Sequence, residues 1–127
     1  MQRRTLIRTA LASSLAAGLP AFAQSGNWPT GKAITYLVPF PAGGTTDVLG
    51  RLIAQKLGPV LGTSVIIDNK GGAGGSVGSE VGARAAPDGF TLVGGTISSH
   101  AINVSLYPKI GYDPIKSFAP VTLIGTN

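Results

Sequence analysis

Three short segments of this chain place glycine-rich or hydroxyl-rich sequence directly after an apolar stretch. They cover residues 40–47, 71–78 and 96–100. In open parallel sheets, ligands bind beyond the carboxyl ends of the strands, which is where such segments would lie. Binding or catalytic chemistry is therefore expected in these segments, and the remaining elements are expected to position them.

The first segment, residues 40–47, suits a negatively charged ligand. Its paired glycines, Gly43 and Gly44, allow backbone N–H groups to approach a ligand with no Cβ atom in the way. The helix predicted to follow would present unpaired donors and a partial positive charge, with Thr46 or Asp47 as its cap. A carboxylate or a phosphate fits such a site. The alternative is a plain strand-to-helix turn.

The second segment, residues 71–78, contains Gly72-x-Gly74-x-x-x-Gly78, which is close to a dinucleotide-binding fingerprint. That fingerprint requires an acidic residue at the end of the next strand, but residues 90–94 are followed by Gly95-Thr96. The pattern therefore disfavours a nucleotide and leaves an anion-binding loop or a flexible linker.

The third segment offers the hydroxyls of Thr96, Ser98 and Ser99 and the imidazole of His100. These groups could hydrogen-bond a carboxylate, or they could satisfy the backbone of their own loop. A catalytic serine–histidine pair is disfavoured because no nucleophile-elbow pattern surrounds the two serines. No enzymatic activity is predicted.

The composition excludes several other classes of site. The chain has no cysteine, which rules out disulfides, thiolate metal sites and a lipoprotein anchor, and its one histidine rules out a multi-histidine metal site. The formal charge is +5, but from Gln24 onward seven basic residues face five acidic ones, a net +2. The basic residues are scattered singly, so nucleic-acid binding is not expected. No metal or cofactor is predicted.

The first 23 residues read as a secretory signal peptide. Arg3, Arg4 and Arg8 precede an apolar run over residues 10–19, and Ala21-Phe22-Ala23 offers a cleavage site. The run is too short to cross a bilayer, which takes roughly 20 residues, so no stable membrane anchor is expected. A buried N-terminal helix is the alternative. The paired arginines leave the Sec and twin-arginine export routes both open.

The positioning elements follow a strand–helix–strand–helix–strand order. Strands are predicted over residues 33–40, 64–68, 90–94 and 118–124, helices over 48–61 and 76–86, and one helical turn over 101–106. In the first helix the apolar residues recur at helical spacing on one face. This order predicts an α/β fold with a parallel sheet and helices on both faces.

Taken together, the segments resemble the Bug-type receptors of tripartite tricarboxylate transporters. Lys70-Gly71 and Gly50 depart from the usual residues of that family, beside the loops. The resemblance is carried by Tyr36-Leu37-Val38-Pro39-Phe40-Pro41-Ala42-Gly43-Gly44-x-x-Asp47, Val65-Ile66-Ile67-Asp68-Asn69-Lys70, Gly72-Ala73-Gly74-Gly75-Ser76-Val77-Gly78, Ala85-Ala86-Pro87-Asp88-Gly89-Phe90-Thr91-Leu92, Asn103, Leu106-Tyr107, Tyr112-Asp113-Pro114 and Phe118-Ala119-Pro120-Val121.

The resemblance implies a two-domain periplasmic-binding-protein fold of the type II, Venus-flytrap kind, which closes on a ligand between its domains. Residues 24–127 would be the N-terminal part of domain 1, with the second domain absent, so the chain is expected to be a fragment. By resemblance, Asp47 caps the first helix and Phe40 forms a wall of the cleft. The carboxylate would be gripped through the backbone of Pro41, Ala42, Gly43, Gly44 and Thr45. Gly74, Gly75, Ser76, Ser98, Ser99 and His100 would line the same side.

The implied function is a monomeric periplasmic receptor that captures a small carboxylate and delivers it to a membrane permease of the tripartite tricarboxylate transporter type. Two alternatives stay open at this point. One is an exported α/β enzyme, either a hydrolase or a nucleotide-dependent enzyme. The other is a truncated product without function. The residues do not specify which carboxylate is bound.

Overall fold

A computed structural model describes residues 28–126, so the predicted signal peptide, residues 1–23, lies outside the described residues. Three strands, β1, β2 and β3, alternate with three helices, α1, α2 and α3. A 3₁₀ turn, Ala73–Gly75, leads into α2, and a π-helical turn, Ser98–Ile102, leads into α3. In chain order the elements are β1 Ile34–Val38, α1 Thr45–Leu61, β2 Val65–Asn69, α2 Ser76–Ala83, β3 Thr91–Val93 and α3 Asn103–Leu106.

The three strands form one parallel sheet in the order β2-β1-β3. The register pairs Ile34 with Val65 on one side of β1 and Thr35 with Thr91 on the other. As the central strand, β1 carries most of the buried apolar residues, among them Leu37 and Val38. The predicted parallel α/β sheet is confirmed.

Helices cover both faces of the sheet, as predicted. The chain steps from β1 to β2 and then back across β1 to β3, and right-handed crossovers in opposite directions place α1 and α2 on opposite faces. Gly50 of α1 lies against the ring of Tyr36, where a Cβ would be 3.0 Å from the ring edge. Gly78 of α2 lies against Pro39 on the other face. The departure at Gly50 therefore accommodates the tyrosine ring.

The orientation of α1 differs from the sequence expectation. Its buried residues are Asp47, Gly50 and Ala54, whereas Leu52 and Val60 of the apolar stripe are 54% and 81% exposed. Asp47 faces the sheet because its carboxylate accepts a hydrogen bond from the Asn69 amide at the end of β2. The small residues Gly50 and Ala54 therefore lie with Asp47 closest to the sheet, while Ile53, Leu57 and Leu61 are only half-buried.

The predicted fourth strand is wrong within the described residues. The segment 118–124 forms no strand there, and Val121 and Leu123 are 82% and 77% exposed. The Phe118 ring instead packs on the imidazole of His100 at a centroid distance of 4.8 Å. No helix in residues 28–126 combines the length and apolar character needed to cross a membrane.

The contact between α2 and β1 tests this packing. A Cβ at Gly78 would lie 2.5 Å from the Lys70 carbonyl oxygen and 2.6 Å from the Pro39 Cα, both backbone atoms that cannot rotate away. We expect Gly78→Ala to lower the free energy of unfolding by about 1–3 kcal/mol, measured by urea denaturation. Gly125→Ala, which introduces a Cβ into open space, is the matched control. Equal stability of the two variants would contradict this close approach.

Candidate functional site

The three predicted segments meet at the carboxyl edge of the sheet. Loop 1 is residues 39–44, loop 2 is residues 70–75 and loop 3 is residues 94–102. They converge at Gly75, where a Cβ would lie 3.0 Å from the Phe40 ring of loop 1 and 3.2 Å from the Ser99 Cβ of loop 3. Gly71 of loop 2 lies equally close to Pro41 of loop 1. The sheet therefore brings the segments together, as their positions after the strands predicted.

The start of α1 presents four backbone donors that no described residue uses. The amides of Gly44, Thr45, Thr46 and Asp47 donate to no acceptor within residues 28–126, and the first helical bond there runs from the Val48 amide to the Gly44 carbonyl. These donors stand at the N-terminus of a 17-residue helix, whose dipole adds partial positive charge. Such a terminus suits a carboxylate or phosphate oxygen.

Gly43 does not join these donors. Its amide donates to the Asp47 carboxylate at 2.8 Å, so the predicted grip on a ligand through this N–H is not what the structure shows. The residue adopts φ +85°, which favours glycine. Gly43 therefore shapes loop 1, while the donors next to it stay open.

The predicted cap is also corrected. The helix begins two residues before Asp47, and its N-cap position is Gly44, which makes no side-chain capping bond. Asp47 lies in the first turn and is 2% exposed. Its carboxylate accepts hydrogen bonds from Gly43, from the Nε of Arg51 at 3.0 Å and from the Nδ2 of Asn69 at 3.0 Å. It therefore joins loop 1, α1 and β2.

These donors keep Asp47 charged at neutral pH. The hydrogen bond from Arg51, followed by those from Gly43 and Asn69 and against the opposing effect of burial, lowers the pKa of Asp47 to about 2. A carboxylate next to an anion site would repel the ligand, but the guanidinium 3.0 Å away offsets that charge.

The backbone amides at the end of loop 2 are hydrogen-bonded within the loop, unlike those at the start of α1. Four consecutive residues, Gly72 to Gly75, have positive φ angles. The turn they form directs the Gly72 carbonyl back to accept from the amides of Gly75 and Val77, while the Ser76 amide donates to Ala73. The amides of Gly75 and Ser76, two residues expected to line the ligand side, are thus already engaged. An anion would have to displace the Gly72 carbonyl from the Gly75 amide and the Ala73 carbonyl from the Ser76 amide.

Asn103 holds the outer side of loop 2. This buried side chain donates through Nδ2 to the carbonyls of Ala73 and Gly74 at 3.2 and 3.0 Å and to the Ser76 hydroxyl at 2.8 Å. We did not predict this role for Asn103, nor those of Asn69 and Arg51. The available signal was a lone asparagine at the turn Ala101–Leu106 and an acidic–basic pair spaced i, i+4 in α1.

Loop 3 is internally bonded around Ser99. This serine is fully buried, and its hydroxyl accepts from the Thr96 amide at 3.1 Å and pairs with the His100 Nδ1 at 2.8 Å. Tyr112 donates its hydroxyl hydrogen to the Ser99 carbonyl. Ser99 therefore cannot meet a ligand or attack a substrate from this position, whereas Ser98 and His100 are partly exposed.

His100 contributes a neutral imidazole at neutral pH. Burial among the rings of Tyr112 and Phe118 lowers its pKa below the ordinary 6.5, because the charged form loses hydration there. The ring can exchange hydrogen bonds with a ligand but adds no positive charge. In residues 28–126 no three His, Cys, Asp or Glu side chains are grouped as metal ligands would be.

The sequence is similar to those of known receptors. Residues 49–127 match the model of a family described as tripartite tricarboxylate transporter family receptors. The chain is 38% identical over 110 residues to the protein BugT of Bordetella pertussis, covering 86% of the chain and 33% of the relative. It is 42% identical over 106 residues to a protein of Agrobacterium vitis, covering 84% and 30%.

Solved structures show the same fold. MatC of Rhodopseudomonas palustris, with bound malate, superposes at a TM-score of 0.69 with 43% identity, over 72% of this chain and 31% of MatC. A second R. palustris protein, with adipate, gives a TM-score of 0.65 and 45% identity, over 68% and 29%. The chain spans about a third of the length of the relatives it matches.

Asp47 gives a pH-dependent test of the site. Its folded pKa, about 2, lies below its ordinary value of 3.8, so its contribution to stability is complete above pH 3.8 and is lost as the pH falls toward 2. We expect Asp47→Asn to unfold at lower urea concentration than wild type at pH 6. The gap should narrow as the pH falls through that window. A gap that stays constant with pH would contradict the charged role of Asp47.

Proposed function

Because the chain belongs to the tripartite tricarboxylate transporter family of receptors, we propose that it forms one wall of a cleft that captures a small carboxylate in the periplasm. The observation that carries the proposal is the run of open amides from Gly44 to Asp47 at the start of α1. Backbone donors at a helix N-terminus bind an anion without supplying a full positive charge of their own.

The ligand class is supported by two relatives. MatC was solved with bound malate and a second relative with adipate, and each of these acids carries two carboxylates. The amides of loop 1 and α1 would bind one carboxylate, with the backbone of Pro41 and Ala42 beside them and the Phe40 ring behind. Ser98 and His100 of loop 3 would supply further hydrogen bonds from the same side.

The other wall of the cleft would come from a second domain. We propose that residues 24–127 form the N-terminal part of domain 1, since the chain spans about a third of its relatives. A pocket that holds a small molecule buries most of the ligand surface. Tight binding would therefore require sequence equivalent to the rest of the relatives, and this chain alone would bind weakly.

The proposed setting follows the same family. Residues 1–23 would act as a signal peptide that is removed on export. The remaining part would act as a monomeric carrier that hands its ligand to a membrane permease. Two solved relatives are a periplasmic transporter and the periplasmic binding protein BugD. A receptor of this kind binds its ligand without turnover, and the fully buried Ser99 supports binding over catalysis.

Thr45 allows the amide proposal to be tested at one atom. As the first residue of α1 it tolerates proline, and Gly44 before it already has the extended conformation that proline requires. We expect Thr45→Pro to keep the helix but weaken malate binding roughly tenfold, because one hydrogen bond to a charged group is lost. Thr45→Ala, which removes the hydroxyl but keeps the amide, is the control.

Binding is measured by titrating the ¹⁵N-labelled chain with malate and adipate at millimolar concentration and following its amide resonances. The amides of residues 44–47 should shift in wild type and in the Thr45→Ala control. A folded chain in which these resonances do not respond to either acid would contradict the proposal. Ligand consumption that is abolished by His100→Ala would favour the rival enzyme.

Export provides a separate prediction. Expressed with its leader in a Gram-negative host, the chain should be recovered from the periplasm with Gln24 as its first residue, as determined by N-terminal sequencing. Replacing Arg3 and Arg4 by lysine should block this only if the twin-arginine route is used. Cytoplasmic retention of the intact leader in the wild-type chain would contradict the proposal.

A further inference from the structure

The glycine end of loop 1 is held by a hydrogen bond and not by close packing, whereas Phe40 and Pro41 pack against loop 2. Residues 41–45 are exposed, and a Cβ at Gly43 would find no atom within 4 Å. Glycines with this much freedom populate many conformations unless another interaction selects one. Whatever fixes loop 1 therefore decides whether the amides at the start of α1 face a ligand.

One amide group ties the beginning of loop 1 to the helix. The Nδ2 of Asn69, the last residue of β2, donates to the Phe40 carbonyl at 3.1 Å and to the Asp47 carboxylate at 3.0 Å. The same carboxylate accepts the Gly43 amide near the end of the loop at 2.8 Å. Both ends of loop 1 are thus bonded to one pair of polar side chains, the buried Asp47 and the half-buried Asn69.

Arg51 closes this arrangement into a ring. Its Nε donates to Asp47 at 3.0 Å and its terminal nitrogen to the Asn69 Oδ1 at 3.3 Å, so each of the three side chains bonds to the other two. The Arg51 side chain is 55% exposed, and its guanidinium offsets the negative charge of the buried Asp47 carboxylate.

We propose that Arg51 and Asn69 are positioning residues that hold loop 1, through Asp47, in the shape that leaves the amides of Gly44 to Asp47 open to a carboxylate. The inference rests on the proposed function for its ligand but not for its geometry. Arg51 acts through Asp47 and does not contact the ligand. A guanidinium that bound the ligand directly would leave loop 1 unchanged when it was removed.

Hydrogen exchange of the Gly43 amide in the ligand-free chain separates these two roles. Arg51→Gln and Asn69→Ala should each accelerate its exchange, measured by NMR, by about tenfold because the carboxylate that accepts it is freed. Arg84→Gln is the matched control, since Arg84 forms the same i, i+4 pair with Glu80 on α2, away from loop 1. It should leave the exchange of Gly43 unchanged.

Asn69→Asp adds a second readout. It places a carboxylate 3.0 Å from that of Asp47 in place of a donor, and like charges at that distance repel. We expect the Gly43 amide to be less protected from exchange in this variant than in Asn69→Ala. Acidification to pH 4 should partly restore its protection, measured relative to an unstructured chain at the same pH. A purely steric role for Asn69 would leave Asn69→Asp, which has the same shape as asparagine, like wild type.

Malate titration of the same variants tests whether the shape of loop 1 affects ligand binding. Arg51→Gln and Asn69→Ala should each raise the dissociation constant for malate, read from the resonance of the Thr45 amide, by about tenfold. Arg84→Gln should have the dissociation constant of wild type. If wild type does not bind malate, the proposed function fails while the exchange measurement still decides the positioning role. Because the Arg51 side chain is half exposed, Arg51→Gln is expected to fold even if Asn69→Ala does not. Unchanged exchange of the Gly43 amide in folded Arg51→Gln would overturn the inference.

Discussion

The hydrogen bonds made by the buried carboxylate of Asp47 are the interactions on which the rest of this site depends. It sits in the first turn of α1, accepts from the backbone of loop 1 and from β2, and is neutralised by Arg51 one turn later. A buried charge is stable only when such donors surround it. The requirement therefore fixes three things together: the rotation of α1 over the sheet, the shape of loop 1 and the approach of β2.

The two glycine-rich helix starts show how similar sequences reach opposite results. At α1 the bond from Gly43 to Asp47 ties the loop to the first helical turn, and four amides have no acceptor within residues 28–126. At α2 the run of positive φ angles folds the Gly72 carbonyl over the helix end, and Asn103 satisfies the outward carbonyls. Glycine permits both conformations. Polar partners select between them, and of these two helix starts only the first keeps a run of unpaired amides within the described residues.

The third loop supports this edge without offering its buried serine. The Ser99 hydroxyl hydrogen-bonds to Thr96 and His100, and its carbonyl accepts from Tyr112. The His100 imidazole lies against Phe118. Gly75 then touches both Ser99 and Phe40, so the three loops share one contact. A change in any one of them is transmitted to the others through close packing.

The sequence by itself determined the order and kind of the main elements, the parallel sheet covered on both faces and the three loops at its carboxyl edge. These follow from local periodicity and turn chemistry, which neighbouring residues specify. Only the tertiary structure decided which amides remain open, because Asp47 and Asn69 are 22 residues apart and Asn103 meets Gly74 across 29. The same separation bears on the rotation of α1 over the sheet. The misplaced cap and the engaged amides of Gly43, Gly75 and Ser76 have a different cause: their partners lie only three or four residues away, in a glycine-rich backbone whose conformation the residue types alone leave open. A polar side chain finds its partner in space, and the hydrogen bonds available there override the hydrophobic pattern along the chain.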